Sequence, residues 1–238
     1  MGEPSLWPAI GRQLLSLDIF NQLPATYFGG FAQAVSEAAW SAESMERVQQ
    51  WLSECRRTHP YCGKSCSSSF KTPPSAMQER GPKRLLSLGA CSDDLRLVDD
   101  YGTKFPPYVA LSYCWGTTKR LVCTDHNYHA LRSQIPWHEL AKSIQHAVLI
   151  ARKLFIQYLW VDALCIIQGN TQDWQDEASN MAAIYANSEI TIAASASTDS
   201  DDGCYNIRPV ARNVEIVQQS GRVSTIYARE QIDHQAFK

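Results

Sequence analysis

Three apolar runs, separated by two segments of helical period, constrain the fold of this chain more than any other feature. The runs are 108–116, 158–168 and 190–195; each is rich in β-branched or aromatic residues and ends in small or polar residues. Such runs are typical of strands that are buried on both faces of a sheet. We therefore expect three buried strands between residues 108 and 197.

The two intervening segments, 141–155 and 173–186, repeat apolar residues at the spacing of amphipathic helices. Asn170 or Thr171 can cap the second helix, and acidic residues in its first turns suit the helix dipole. Strand, helix, strand, helix, strand with short joins predicts an α/β fold with a mainly parallel sheet and flanking helices. The large side chains expected in its core are Trp160, Trp174, Met181 and Tyr185.

The amino-acid composition excludes some classes of binding partner. The chain has 238 residues, 45% of them hydrophobic, and a formal net charge of −2, which is enough apolar material for a sizeable core. No run of charge attracts nucleic acid or an anionic membrane, and no apolar stretch is long enough to span a bilayer. The start lacks the features of a secretory signal, so we expect reduced cysteines and a cytoplasmic location.

The chain is expected to divide into three parts. Residues 1–66 form a helical N-terminal annex, with one helix from Ser41 or Ser44 to about Arg57. Residues 67–82 are rich in Ser and Pro and indicate a linker. Residues 83–238 form the main domain, which opens with a hairpin of two short strands near 84–88 and 95–99.

Four soft metal ligands lie close together at the end of the annex. Cys55, His59, Cys62 and Cys66 fall within twelve residues and could hold a tetrahedral zinc ion. Their spacing is not that of a standard zinc finger. The alternative is that Cys55 is a core residue of its helix and the others belong to a loop, which we favour because free cysteine is commonly buried.

A candidate ligand site follows from the predicted sheet. In open parallel sheets, ligands bind beyond the carboxyl ends of the strands. Ser112, Trp115 and Gly116 follow the first strand, and Asp162 and Cys165 lie at the end of the second. Gly116 would let the backbone approach a ligand, and Trp115 would stack on a flat ring.

The chemistry of these residues leaves alternatives open. A carboxylate at Asp162 either accepts hydrogen bonds from a loop or belongs to a site, because a buried charge needs a partner in both cases. Cys165 could be a nucleophile, with a histidine from 126–146 as its base, but cysteines in buried strands are usually inert. The aspartates at 199–202 are expected in a solvated turn, because they lack the ligand order of a calcium loop.

At this point the sequence resembles a known family. The run 108–116 is similar to the first signature block of the fungal heterokaryon incompatibility domain. The run 158–168, continued by 173–185 and 190–194, is similar to its second block. The resemblance covers roughly residues 83–208. The family's third block, an Arg-Trp-Thr-type run followed by Gln-Glu, has no counterpart before Lys238, so we expect an N-terminal portion of the domain or a shortened member.

The resemblance implies a signalling domain that triggers growth arrest and cell death when incompatible fungal strains fuse, through self-association or a protein partner. The family is thought to be distantly similar to Toll/interleukin-1 receptor domains, which have a flavodoxin-like sheet and in some members cleave NAD. An NAD-cleaving enzyme would use Asp162 and Glu177 as catalytic carboxylates. For Glu177 we favour a solvated glutamate in the first turns of a helix. A zinc-stabilised binding module is the remaining alternative.

Overall fold

The computed structural model describes residues 17–20, 38, 40–58, 81–101, 105–205, 212–217, 221 and 223–230. The chain divides into two compact units. One is the continuous segment Ala38–Asn206, and the other combines Met1–Glu37 with Ile207–Lys238.

The described residues form eight strands and five α-helices. In chain order they are β1 (Leu17–Phe20), α1 (Ala42–Thr58), β2 (Leu85–Ser87), β3 (Arg96–Val98), β4 (Val109–Ser112), α2 (Tyr128–Ser133), α3 (Lys142–Lys153), β5 (Tyr158–Trp160), α4 (Asp162–Cys165), α5 (Thr171–Ala186), β6 (Ile190–Ala193), β7 (Arg212–Val217) and β8 (Val223–Glu230).

The larger unit is built on a five-stranded sheet in the order β3-β2-β5-β4-β6. Strand β4 runs parallel to both β5 and β6, whereas β2 runs antiparallel to both β3 and β5. The α/β class and the opening hairpin are therefore confirmed. The sheet is mixed, and its parallel part is limited to the three strands that the apolar runs contain.

The second apolar run is not a continuous strand. It is extended only over Tyr158–Trp160, and the chain then turns into α4, where the Cys165 N–H donates to Val161 O at 2.8 Å. The expectation that Cys165 lies in or at the end of a buried strand is wrong. An unbroken apolar run has no periodicity that separates a buried helical turn from a strand.

Helices α3 and α5 supply much of the core around the sheet. Helix α3 buries Ile144, Ala147, Val148 and Ala151. The N terminus of α5 is capped as predicted, since the Asn170 side chain accepts a hydrogen bond from the Asp173 N–H.

One predicted core residue of α5 faces solvent. Trp174 is 57% exposed, whereas Trp160 is fully buried, and Met181 and Tyr185 pack against the core from half-buried positions. The buried face of α5 begins with Asp173 and Glu177 instead. Their polar partners orient the first turns of the helix and leave Trp174 outside.

Helix α1 belongs to the larger unit. The Ser44 N–H donates to Ser41 Oγ at 3.1 Å, so the predicted start is confirmed. Gln49 Nε2 donates to Lys153 O at 2.9 Å, which joins α1 to the end of α3. Residues 59–80 lie outside the described residues, and the boundaries at 66 and 82 stay predictions.

The smaller unit contains a three-stranded antiparallel sheet in the order β1-β8-β7. Strands β7 and β8 form a hairpin in which Val217 lies opposite Val223. Strand β1 joins its outer side, with Ile19 opposite Ala228. In the described part of either unit, no helix is both long and apolar enough to cross a membrane.

Candidate functional site

A pocket of about 330 Å³ opens beyond the carboxyl ends of β4 and β5. It is lined by residues 115–122 together with Tyr113, Ala163 and Ser200, among others. This is the edge at which open α/β sheets bind ligands. The volume lies at the lower end of the range for small-molecule sites.

Trp115 and Asp162 meet at this edge. Trp115 Nε1 donates to Asp162 Oδ2 at 2.9 Å, and the Ala163 N–H donates to Asp162 Oδ1 at 2.7 Å. Burial raises the pKa of the Asp162 carboxyl, while the bonds from Trp115 and Ala163 partly oppose this shift. The structure thus brings together two candidates that are 47 residues apart in the sequence, with the Trp115 side chain still 42% exposed.

Gly116 sits in a turn that no other residue fits well. Its φ is +65°, and a Cβ at this position would lie 2.2 Å from Asp199 Oδ2. The N–H groups of Thr117 and Thr118 donate to that same oxygen at 2.8 and 3.1 Å. The missing side chain of Gly116 therefore lets a carboxylate hold the loop after β4.

The aspartate cluster lies in a surface turn, as expected, but its carboxylates also bind neighbouring groups. Backbone N–H groups, from Asp201 first and then from Thr117 and Thr118, hold the pKa of Asp199 well below its usual range. Arg120 Nε donates to Asp201 Oδ2 at 2.8 Å. Thus the Asp199 carboxylate binds the loop at the rim of the pocket, and the Asp201 carboxylate forms an ion pair with Arg120.

A second polar cluster is buried beneath α5. Arg84 Nε donates to Cys165 O at 2.7 Å, and its guanidinium forms an ion pair with Asp173. Asp173 also accepts the Ile167 N–H at 2.8 Å and the Lys83 ammonium at 3.2 Å. Burial alone would raise the pKa of Asp173, but the bonds from Arg84 and Ile167 lower it. The cluster ties β2 to the start of α5.

Glu177 belongs to this cluster. It is 1% exposed, and Oε1 accepts the Lys83 N–H at 3.2 Å. Among the described residues no group hydrogen-bonds to its Oε2. Burial raises the pKa of Glu177, with the Lys83 N–H and the charge of Arg84 opposing it.

The favoured expectation that Glu177 is solvated is therefore wrong, since it is buried beside Lys83 and Arg84, the two residues before β2. Nor is Glu177 among the described residues that line the pocket. The sequence signal that was missed is the pair Lys83-Arg84 directly before the apolar residues of β2.

Three candidates at the sheet edge, Asp162, Ser112 and Cys165, are not among the described residues that line the pocket. Ser112 ends β4, and its carbonyl accepts the Ala194 N–H at 2.9 Å. Cys165 is fully buried, and its Sγ accepts the Val161 N–H at 3.5 Å. Burial raises the pKa of the Cys165 thiol, which keeps it protonated and unsuited to nucleophilic attack.

The predicted zinc site lies mostly outside the described residues. Cys55 lies in α1 and is half-buried. His59, Cys62 and Cys66 lie outside the described residues. In the described ranges no group of three or more potential ligands comes together. The zinc-stabilised module stays a prediction.

Comparison with known proteins identifies the family. Searches among curated proteins and among solved structures found no match. The family model described as heterokaryon incompatibility protein matches residues 108–236, more than half of the chain. The matched stretch begins at the start of β4 and includes Trp115, Gly116, Asp162 and Asp199. The chain belongs to the heterokaryon incompatibility protein family.

Proposed function

We propose that this chain is a cytoplasmic signalling domain of fungal non-self recognition. It promotes growth arrest or cell death by self-association or by contact with a protein partner. The observation that carries the proposal is the family match over residues 108–236. That stretch includes the pocket edge and most of the five-stranded sheet.

The loop after β4 supports a role in contact. Trp115 is partly exposed while its indole is fixed by Asp162, and residues 116–118 are fixed by Asp199. A partner that binds this loop loses little conformational freedom from it, because the loop is already ordered. Tryptophan is also among the residues that contribute most to binding at interfaces.

One observation favours an NAD-cleaving enzyme as the second candidate. Trp115 and Lys119 both line the pocket, and Trp115 donates to Asp162, a carboxyl with a raised pKa that lies outside the lining. This combination suits a planar anionic ligand. In such an enzyme Asp162 would act on the substrate, and Glu177 would have a structural role in its own cluster.

Inducible expression of residues 1–238 in yeast, with viability and cellular NAD followed together, tests both candidates. We expect growth arrest with NAD unchanged, and loss of arrest in Trp115→Phe. Arrest with NAD loss that Asp162→Asn abolishes would establish the enzyme instead. Soluble protein without any effect on growth would contradict both.

Matched controls come from exposed positions. Trp51→Phe changes an indole that is 64% exposed on α1, and Asp93→Asn changes an exposed carboxylate next to β3. Both controls should arrest growth as the unaltered chain does. If Trp51→Phe were as harmful to activity as Trp115→Phe, the loop after β4 would have no special part.

A further inference from the structure

Strand β6 forms one edge of the five-stranded sheet, and within the described part of the chain no strand pairs with its outer side. Its residues, Ile190–Ala193, include no charge and no proline. Edge strands usually carry such residues, which prevent pairing with other chains. The opposite edge is protected in this way: β3 exposes Arg96 and is followed by Asp99 and Asp100.

The backbone groups that face outward can be identified. The Ala194 N–H donates to Ser112 O at 2.9 Å, so the even-numbered residues of β6 face β4. Alternate residues of a strand direct their N–H and C=O groups to opposite sides. Thr191 and Ala193 therefore direct theirs away from the sheet.

The hydrogen bonds between β2 and β5 lead to the same assignment of inward-facing and outward-facing residues in β6. The Leu88 N–H donates to Gln157 O, so odd-numbered residues of β5 face β2 and even-numbered ones face β4. The registers of β5 with β4 and of β4 with β6 carry this alternation across to β6. The Glu189 N–H also donates to Tyr108 O, but Glu189 lies before the strand, in the turn after α5.

We propose that a second copy of this chain pairs antiparallel with the outer edge of β6, across a two-fold axis at Ile192. Thr191 of each copy then lies opposite Ala193 of the other. In such pairs both residues exchange N–H···O bonds, so the two pairs form four hydrogen bonds. The pairing joins two sheets into one of ten strands, and it rests on the proposed function, for which it locates the self-association.

A second copy fits this edge because the strand is complementary to itself. The side chains of Thr191 and Ala193 are small and exposed, and Ile192 meets its own counterpart. Glu189 would face Ser195 of the second copy, and it is already paired with Arg56 at 2.7 Å. No charge meets a like charge, and a two-fold interface requires that self-complementarity.

Sedimentation equilibrium of residues 1–238 tests the pairing with two double variants. Thr191→Lys with Ala193→Lys places lysine opposite lysine in both pairs, and Thr191→Glu with Ala193→Glu does the same with glutamate. We expect a reversible dimer for the unaltered chain and a dissociation constant raised roughly tenfold in either variant. An equimolar mixture of the two should associate again, because lysine then faces glutamate.

Two further variants show whether any loss of the dimer is specific to the outer edge of β6. Ala193→Pro removes an outward N–H but no bond to β4, so the dimer should be lost while the melting temperature changes little. Arg96→Glu alters charge on the opposite sheet edge and should leave association unchanged. A monomeric unaltered chain, or a lysine–glutamate mixture that fails to associate, would overturn the inference.

Failure of the inference is distinguishable from failure of the proposed function. A monomer that still arrests growth in yeast would overturn only the pairing. A dimer that responds to the variants as described, in cells that grow normally, would support the pairing and contradict the signalling role.

Discussion

Asp162 and Glu177 are both carboxyls with raised pKa values, but their surroundings differ. Asp162 accepts a hydrogen bond on each oxygen and lies beside the pocket. Glu177 accepts one on Oε1 and is almost completely buried. A buried acceptor without a partner is costly, so the two residues respond differently to pH and to substitution.

Glu177→Gln is expected to stabilise the protein at neutral pH relative to acidic pH. The folded pKa of Glu177 lies above the unfolded value of about 4.3, so folding favours the protonated form. Its contribution to stability is fully present below the unfolded pKa and is lost as pH rises through the folded pKa. Glutamine avoids that loss, so the unfolding free energy of Glu177→Gln relative to the unaltered protein should increase from pH 4 to pH 7.

Denaturant unfolding of both proteins at several pH values measures this difference. Asp93→Asn, at an exposed carboxylate, is the control and should show no such trend. A difference between Glu177→Gln and the unaltered protein that is constant with pH would mean that Glu177 is ionised equally easily in both states.

Trp115→Phe is expected to raise the pKa of Asp162. The indole N–H stabilises the ionised carboxylate, and phenylalanine keeps the ring but has no donor. Titration of the Asp162 carboxyl carbon by NMR measures the change. Trp51→Phe should leave the Asp162 titration where it is, and a titration that is also unmoved in Trp115→Phe would show that the indole N–H does not stabilise the carboxylate.

At the scale of elements, the loop after β4 is bound to the turn at residues 199–202, and Gly116 lies at the centre of this contact. Gly116→Ala should destabilise the protein through both its positive φ and the clash with Asp199. Gly169→Ala is the matched control, since Gly169 has φ +84° and no atom within 4 Å of an added Cβ. The control should cost about 1–2 kcal/mol from φ alone, and Gly116→Ala clearly more.

Thermal melts compare the two glycine variants, and hydrogen exchange adds a local measure. The amides of Thr117 and Thr118 should lose protection in Gly116→Ala but not in Gly169→Ala, because only the first variant displaces their common acceptor. Equal destabilisation without loss of protection would mean that the loop does not depend on Asp199.

How far the elements could be predicted depended on where their partners lie. Helices α3 and α5, the hairpin and the three parallel strands have local patterns and were foreseen. The burial of Asp173 and Glu177 depends on Lys83 and Arg84, which are about ninety residues away. A pattern within one helix cannot reveal such partners, so Trp174 was wrongly assigned to the core. Helix α4 was missed because its apolar run has no distinguishing period.

At the scale of the whole molecule, the sequence did not predict that β1 pairs with β8 in the smaller unit. Its sheet pairs residues 17–20 with residues 227–230, and no local pattern in either stretch indicates the other. For the same reason, only part of the candidate site could be predicted. The position of the pocket at the sheet edge can be predicted from the order of the strands. The contact between Gly116 and Asp199 cannot, because it joins loops that are 83 residues apart in the sequence.

Proline substitutions in β1 should affect only the smaller unit. Alternate residues of a strand face its partner, so one of Asp18→Pro and Ile19→Pro removes a donor to β8 and the other removes an outward N–H. We expect lower hydrogen-exchange protection in β8 for only one of them. Protection of Leu159 and Trp160 in β5 should persist in both, and its loss would mean that the units unfold together.

The discontinuity of the smaller unit has a consequence for biosynthesis. Residues Ala38–Asn206 leave the ribosome as one uninterrupted segment, whereas the strand Leu17–Phe20 must wait for Val223–Glu230 before it can pair. The larger unit can therefore fold during translation while the first strand is still without its neighbour. A ribosome stalled shortly after Asn206 has emerged would carry a nascent chain whose larger sheet is complete and whose strand Leu17–Phe20 is still unpaired.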